Sequence, residues 1–227
     1  MRPRVKICGL TRREDAALAV ELGAAAIGLV FWPQSPRVVT IDQARAVVRD
    51  LPKHVTRVGV FVNAGPDEVA SIVKAVDLDA VQLQGDEVIH DYATIPARIV
   101  RAMPLEREDD VAAAIALPSH VTVLVDAADR AKRGGTGQRA NWKHAGTLAR
   151  QRAIMLAGGL SADNVAAAVR VVQPWAVDVS SGVETSPGLK SADRLRAFFA
   201  AIDGIDEIDV SAPAPATRVR RGLLEGS

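Results

Sequence analysis

A single (β/α)8 TIM barrel is the architecture this sequence predicts, and three observations carry the prediction. Short β-rich runs alternate with helix-period segments eight times along the chain. The runs are nearly continuous apolar stretches, as expected of parallel strands covered on both faces. The length of 227 residues suits one such barrel. An open doubly wound sheet is the runner-up; it usually has fewer strands, and no dinucleotide fingerprint follows the first strand.

The elements can be justified in order. RVKIC (4–8) is the first strand. In TRREDAALAVELG, the helix is expected to be capped by Thr11, with Glu14 completing a capping box and Gly23 ending it. AAIGLVF (25–31) is the second strand, and TIDQARAVVRDL (40–51) the second helix, capped by Thr40. TRVGVFV (56–62) is the third strand; GPDEVASIVKAV (65–76) follows, with Pro66 suited to a first helical turn. DAVQL (79–83) precedes a short helix near 86–94, and ARIVRAM (97–103) precedes EREDDVAAAIAL (106–117). VTVLVD (121–126) runs through a long glycine-rich loop to a helix near 142–151. AIMLAGG (153–159) leads to SADNVAAAVRVV (161–172), and WAVDVSSG (175–182) to SADRLRAFFAAI (191–202). The catalytic domain is thereby placed at 1–204. Residues 205–227, with their Ala/Pro alternation and mixed charges, read as a mobile C-terminal extension.

Composition narrows the function. With 28 basic and 27 acidic side chains, neither nucleic acid nor a membrane surface is expected as the main partner. One cysteine cannot form an intrachain disulfide, which suits a reducing cytoplasm. No apolar run reaches membrane-spanning length, and charges interrupt any N-terminal signal core. Four scattered histidines and one cysteine lack metal-ligand spacing, so no metal is expected.

In a barrel, reactive groups stand at the C-terminal strand ends and in the loops after them. Reading along the strands gives Cys8, Arg37, Asn63, Gln82 with Gln84, Arg101, Asp126, and Gly158 with Gly159. The eighth strand adds Asp178, Ser180, Ser181 and Gly182. The loops AGGLSADN and VSSGVE offer backbone amides, hydroxyls and glycines at the two places where barrels often bind phosphate. RAKRGGTGQRANW (130–142) is long for such a connection, as lids and binding loops often are. A thiolate at Cys8 can take a proton from carbon, and a protonated carboxyl at Asp126 can donate one. Lys6 looks badly placed to favour the thiolate directly, since two residues of strand set it about 7 Å below Cys8 on the same face, although it can still shape the local field.

The segments KICG, GLVFWPQSPR, VGVFVN, VQLQG, LVDA, GGTG, AGGLSADNV and AVDVSSGVETSPGLK, in this order over roughly 4–200, resemble the phosphoribosylanthranilate isomerase family. That resemblance implies an Amadori rearrangement in tryptophan biosynthesis. N-(5-phosphoribosyl)anthranilate would become 1-(2-carboxyphenylamino)-1-deoxyribulose 5-phosphate. It implies Cys8 as general base, Asp126 as general acid and Arg37 against the anthranilate moiety. Gln82 and Asp178 are assigned to substrate binding. Gly158, Gly159, Ser180, Ser181 and Gly182 are assigned to phosphate. No cofactor is implied. The expected partner is a small sugar phosphate, with the protein acting as a monomer or homodimer. Two departures stand out: Gln84 replaces the family's frequent histidine, and Ala140 with Asn141 replaces an aromatic and Asp before Trp142.

Overall fold

The computed structural model describes residues 2–127 and 140–205. Eight parallel strands close into a barrel in chain order. They are β1 (Arg4–Ile7), β2 (Ala26–Val30), β3 (Thr56–Phe61), β4 (Ala80–Leu83), β5 (Arg98–Pro104), β6 (Thr122–Asp126), β7 (Ile154–Leu156) and β8 (Ala176–Val179). β8 closes on β1 with Asp178 in register with Lys6.

Among the described residues, seven α-helices pack outside: α1 (Arg13–Glu21), α2 (Ile41–Val48), α3 (Pro66–Val76), α4 (Glu108–Ala116), α5 (Trp142–Ala149), α6 (Val165–Val172) and α7 (Ala192–Asp203). Two expectations need correction. The connection after β4 is a single 3₁₀ turn, Ile89–Tyr92, in place of the short helix. Pro96 follows closely and disfavours helical continuation, while Tyr92 anchors the turn through its hydroxyl to the Ala64 carbonyl at 2.5 Å. Thr11 does not cap α1, whose N-cap is Arg12. Its hydroxyl instead donates to the Gly188 carbonyl at 2.6 Å. Thr40 does form the capping box of α2, with Gln43.

The apolar residues divide between two layers. Ile7, Ile27, Phe61, Leu83, Leu105 and Phe198 lie in the layer between strands and helices. Burying a large side chain there stabilises the fold by about 1.5–3 kcal/mol. Val58, Ala80, Val100, Leu124, Met155 and Ala176 form a second cluster inside the ring. Those smaller aliphatic residues suit the narrow interior of an eight-stranded barrel.

After β8, a 3₁₀ turn (Ser181–Val183) leads into an antiparallel hairpin of β9 (Glu184–Ser186) and β10 (Leu189–Lys190). The sequence reading left this hairpin out. Of the expected extension, only Ile205 is described, and it is buried in the core. The rest of 205–227 lies outside the described residues, as does most of the loop 130–142. Among the described residues, no helix is long and apolar enough to cross a membrane.

Candidate active site

Above the apolar interior cluster, the barrel turns polar. Lys6 from β1, Gln82 from β4 and Asp178 from β8 are all buried there. Cys8 follows the end of β1 and packs with Val30, Val60 and Trp32. Asp126 ends β6, separated from β1 around the ring by β7 and β8. Strand pleating explains the selection, because alternate residues point inward.

Lys6 corrects the sequence expectation. Its Nζ donates to Asp178 Oδ1 at 3.0 Å, and its side chain is 1 % exposed. A Cβ on Gly28 would lie 2.7 Å from Cys8 Sγ and 3.1 Å from Lys6 Nζ. The thiol and the ammonium therefore share the space over that glycine. A backbone offset of about 7 Å is spanned by the lysine's own length. Burial works against the Lys6 charge, but Asp178 and then Cys8 outweigh it and hold its pKa above the ordinary value. Burial pushes the Cys8 thiol up; Lys6 and Lys190 favour the thiolate, whereas Asp178 opposes it.

Asp126 accepts from the Ala127 amide at 2.8 Å and from Gln84 Nε2 at 2.9 Å. Gln84 Oε1 in turn accepts from Gln82 Nε2 at 2.7 Å. This chain leaves Gln82 Oε1 buried without a protein partner among the described residues. Burial raises the Asp126 pKa, and the Asp178 charge adds to the rise. The Ala127 amide, Gln84 and Lys6 pull it back without cancelling the effect. A carboxyl that keeps its proton more readily than usual suits an acid role. Gln84 thus holds the carboxyl in place.

Arg37 and Glu184 form a buried fork. Arg37 Nε donates to Glu184 Oε1 at 2.9 Å and Nη2 to Oε2 at 2.7 Å. Lys190 closes the network, donating to Glu184 Oε1 at 2.7 Å, the Cys8 carbonyl at 2.6 Å and the Ser180 carbonyl at 3.3 Å. Burial opposes the Glu184 charge, yet Arg37 and Lys190 hold its pKa below the usual value. Sequence reasoning missed Glu184 and Lys190. The signal available was their place in the VSSGVETSPGLK segment, but their pairing depends on the hairpin.

The glycine loops after β7 and β8 meet. Gly158 and Gly159 both have positive φ, at 81° and 61°. A Cβ on Gly182 would lie 1.9 Å from the Leu160 carbonyl oxygen, so close loop packing excludes a side chain there. Asn164 supports the first loop, accepting from the Ser161 amide and donating to the Gly159 carbonyl. Ser181 opens the 3₁₀ turn beside it. The Ser180 hydroxyl is buried without a protein partner among the described residues. A Cβ on Gly9 would be 3.1 Å from that hydroxyl and 2.4 Å from Arg37 Cδ, which places Ser180 toward the arginine corner.

The remaining candidates separate from this centre. Asn63 Oδ1 accepts from the Asp86 amide, and Arg101 pairs with Glu87 at 2.9 Å. They brace the loops after β3 and β4. Asn141 caps α5 by accepting from the His144 amide at 3.2 Å, as a short polar cap residue does. Ala140 packs against Gly158, whose added Cβ would meet the Ala140 Cβ at 3.2 Å. Both departures before Trp142 therefore have structural roles. Among the described residues, no cluster of His, Cys, Asp and Glu could hold a metal ion.

A family profile described as N-(5'phosphoribosyl)anthranilate (PRA) isomerase matches residues 5–201. An N-(5'-phosphoribosyl)anthranilate isomerase of Pseudomonas fluorescens is 46 % identical over 203 residues, covering 88 % of this chain and 95 % of the relative. One from Halorhodospira halophila is 45 % identical over 208 residues, covering 91 % of this chain and all of the relative. The phosphoribosyl anthranilate isomerase structure from Thermotoga maritima superposes with a TM-score of 0.82 at 38 % identity, covering 89 % of this chain and 99 % of that one. A phosphoribosyl anthranilate isomerase in complex with reduced 1-(o-carboxyphenylamino)-1-deoxyribulose 5-phosphate superposes at 0.79, also at 38 % identity, with coverage of 89 % and 99 %. On the profile match and these identities across most of the fold, the chain belongs to the N-(5'-phosphoribosyl)anthranilate isomerase family.

Proposed function

We propose that the barrel mouth carries out the Amadori rearrangement of N-(5-phosphoribosyl)anthranilate, with Asp126 as general acid and Cys8 as general base. The carrying observation is their convergence on one mouth: a buried thiol beside an ammonium, and a carboxyl whose pKa burial lifts above the ordinary value. Asp126 gives a proton to the furanose ring oxygen. The C1′–O bond breaks as the anthranilate nitrogen lone pair forms the C1′=N bond. The Cys8 thiolate removes the C2′ proton, and the C–H pair becomes the C1′=C2′ bond while the C=N pair returns to nitrogen. The C1′=C2′ pair then takes a proton at C1′, returned by the Cys8 thiol, while the C2′ hydroxyl gives up its proton and its O–H pair becomes the C2′=O bond. That proton restores the Asp126 carboxyl, so both groups are reset with no net change in protons or electrons.

Binding roles follow from the surrounding groups. Gln82 Oε1 is available to accept a substrate hydroxyl. Asp178 uses Oδ1 for Lys6 and offers its other oxygen to the sugar hydroxyls or the nitrogen. The phosphate ester belongs at Gly158, Gly159, Ser181 and Gly182, with Ser180 at the border toward Arg37. Gly182→Ala is expected to lower the melting temperature and raise KM, because its Cβ must push the Leu160 loop aside. Sulfate should compete with substrate in the parent. An unchanged KM together with indifference to sulfate would remove phosphate from these loops.

Arg37 should read the anthranilate carboxylate. Its Nε edge is occupied by Glu184, so the Nη1/Nη2 edge remains for the ligand. Arg37→Lys is expected to lower kcat/KM at least tenfold, since an ammonium cannot serve Glu184 and a carboxylate with the same fork. Equal losses of rate for substrate and for an analogue lacking the carboxylate would exclude this role.

The activity test supplies anthranilate, phosphoribosyl pyrophosphate and the upstream transferase, and follows loss of the fluorescent intermediate. Acceleration by this protein supports the assignment; an unchanged rate with folded protein overturns it. The small sugar phosphate is the expected partner, and the cytoplasm the expected location. A phosphoribosylanthranilate isomerase from Thermotoga maritima is described as dimeric; for this chain, sedimentation should report a monomer or homodimer.

A further inference from the structure

We propose that Lys6 is the cation partner of the Cys8 thiolate and that Asp178 moderates it, so that proton abstraction at this barrel depends on a Cys8–Lys6–Asp178 cluster. This inference rests on the reading of Cys8 as base and deepens it.

The geometry singles out Lys6 among the nearby cations. Cys8 is approached by Lys6 from its own strand, Asp178 from β8 and Lys190 from β10. Arg37 borders Gly9, and Asp126 ends β6. Among the described residues, β2 and β3 contribute Gly28, Val30 and Val60 around the thiol, none of them charged. Lys190 has three oxygen partners for its three N–H groups: the carbonyls of Cys8 and Ser180 and the Glu184 carboxylate. Lys6 Nζ has a single oxygen partner among the described residues, Asp178. Two of its N–H groups are therefore available at the shared space over Gly28, where the thiol sits. Gly28 itself is part of the arrangement, because a Cβ there would collide with the thiol and crowd the ammonium.

The chemistry requires such a partner. Removing the thiol proton inside the barrel creates an anion with little water around it, and burial alone opposes this. A neighbouring ammonium favours the anion, while the Asp178 carboxylate restrains the effect by engaging the same ammonium. During the reaction, Cys8 goes from thiolate to thiol as the C2′ proton moves to sulfur. Lys6 keeps its proton throughout, and its positive charge becomes available to the enolamine and to Asp178. No further reactant enters the balance.

Cys8 is the chain's one cysteine, so the pH dependence of iodoacetamide labelling reads its ionisation directly. Lys6→Met should move the labelling midpoint upward by roughly 1–2 pH units. Labelling at a fixed pH below the midpoint should then slow about tenfold per unit. Lys6→Arg should restore most of the shift by returning the charge. Asp178→Asn should move the midpoint the opposite way, downward, by freeing the ammonium. If Lys6→Met proves unstable because it strands the Asp178 charge, the double variant Lys6→Met/Asp178→Asn removes both charges and should label with a higher midpoint than Asp178→Asn. Opposite signs for the two neighbours are not expected of a merely structural contact. A folded Lys6→Met protein, or the double variant against Asp178→Asn, with an unmoved midpoint would overturn the pairing. If the midpoint moves as expected but Cys8→Ala retains full turnover, the pair exists and the catalytic claim falls with the base assignment.

Discussion

Cys8→Ala is expected to fold normally and bind a product analogue while turnover falls by at least the roughly 10²–10⁴-fold typical of a missing general acid or base. The substitution is mild for the fold, since it removes one sulfur from a small apolar patch with Val30, Val60 and Trp32. It is severe for the reaction, since Cys8 has no substitute in its own cluster among the described residues: the Lys6 pKa is held above its ordinary value, and Asp178 is bound to Lys6. Cys8→Ser should also be poor, because a hydroxyl ionises far less readily than a thiol. Alkylation of the parent should abolish activity, with a bound product analogue protecting it. Circular dichroism, analogue titration and turnover measured on the same preparations would test this. A folded Cys8→Ala enzyme of full activity would return the thiol to the inert core.

Asp126→Asn should lose turnover on a similar scale, roughly 10²–10⁴-fold, while becoming more resistant to heat at neutral pH. The two effects share a cause. Burial, then the Asp178 charge, lift the Asp126 pKa above its ordinary value against the pull of Ala127 and Gln84. A group raised in this way contributes stability that is fully present below the unfolded carboxylate pKa and is lost as pH rises through the folded pKa. Asparagine stays neutral and escapes that loss. Its Oδ1 can still accept from the Ala127 amide, and Gln84 and Gln82 can turn together, Gln84 presenting its carbonyl to the new amide group and Gln82 its unpartnered Oε1 to the Gln84 amide. The melting-temperature advantage of the variant should therefore be absent in acid and grow toward neutral pH. An equal or lower melting temperature at neutral pH would show that the ionised carboxylate is not under strain. Retention of turnover would remove Asp126 as the acid.

Much of this protein was legible in the chain itself. Apolar strand runs alternating with helix-period segments determine a barrel, because a parallel sheet covered on both faces needs that order. Strand periodicity also determines that Cys8, Gln82, Asp126 and Asp178 face inward near the mouth. The capping box at Thr40 was readable for the same local reason. Interactions between residues distant in sequence were not readable. Lys6 appeared too far from Cys8 when measured along the strand, since strand rise locates backbones and not the ends of long side chains. Barrel closure placed Asp178 in register with it and directed the ammonium over Gly28. Thr11 had a good local cap available but found the Gly188 carbonyl, which only the β9–β10 hairpin brings near. Glu184 and Lys190 carry no role that local sequence assigns; the hairpin buries them against Arg37 and the Cys8 carbonyl. Local sequence determined the elements and their inward faces, because propensity and periodicity act over a few residues. Ring closure decided which charges meet, because only there do the first strand and the last loops occupy the same low-dielectric space.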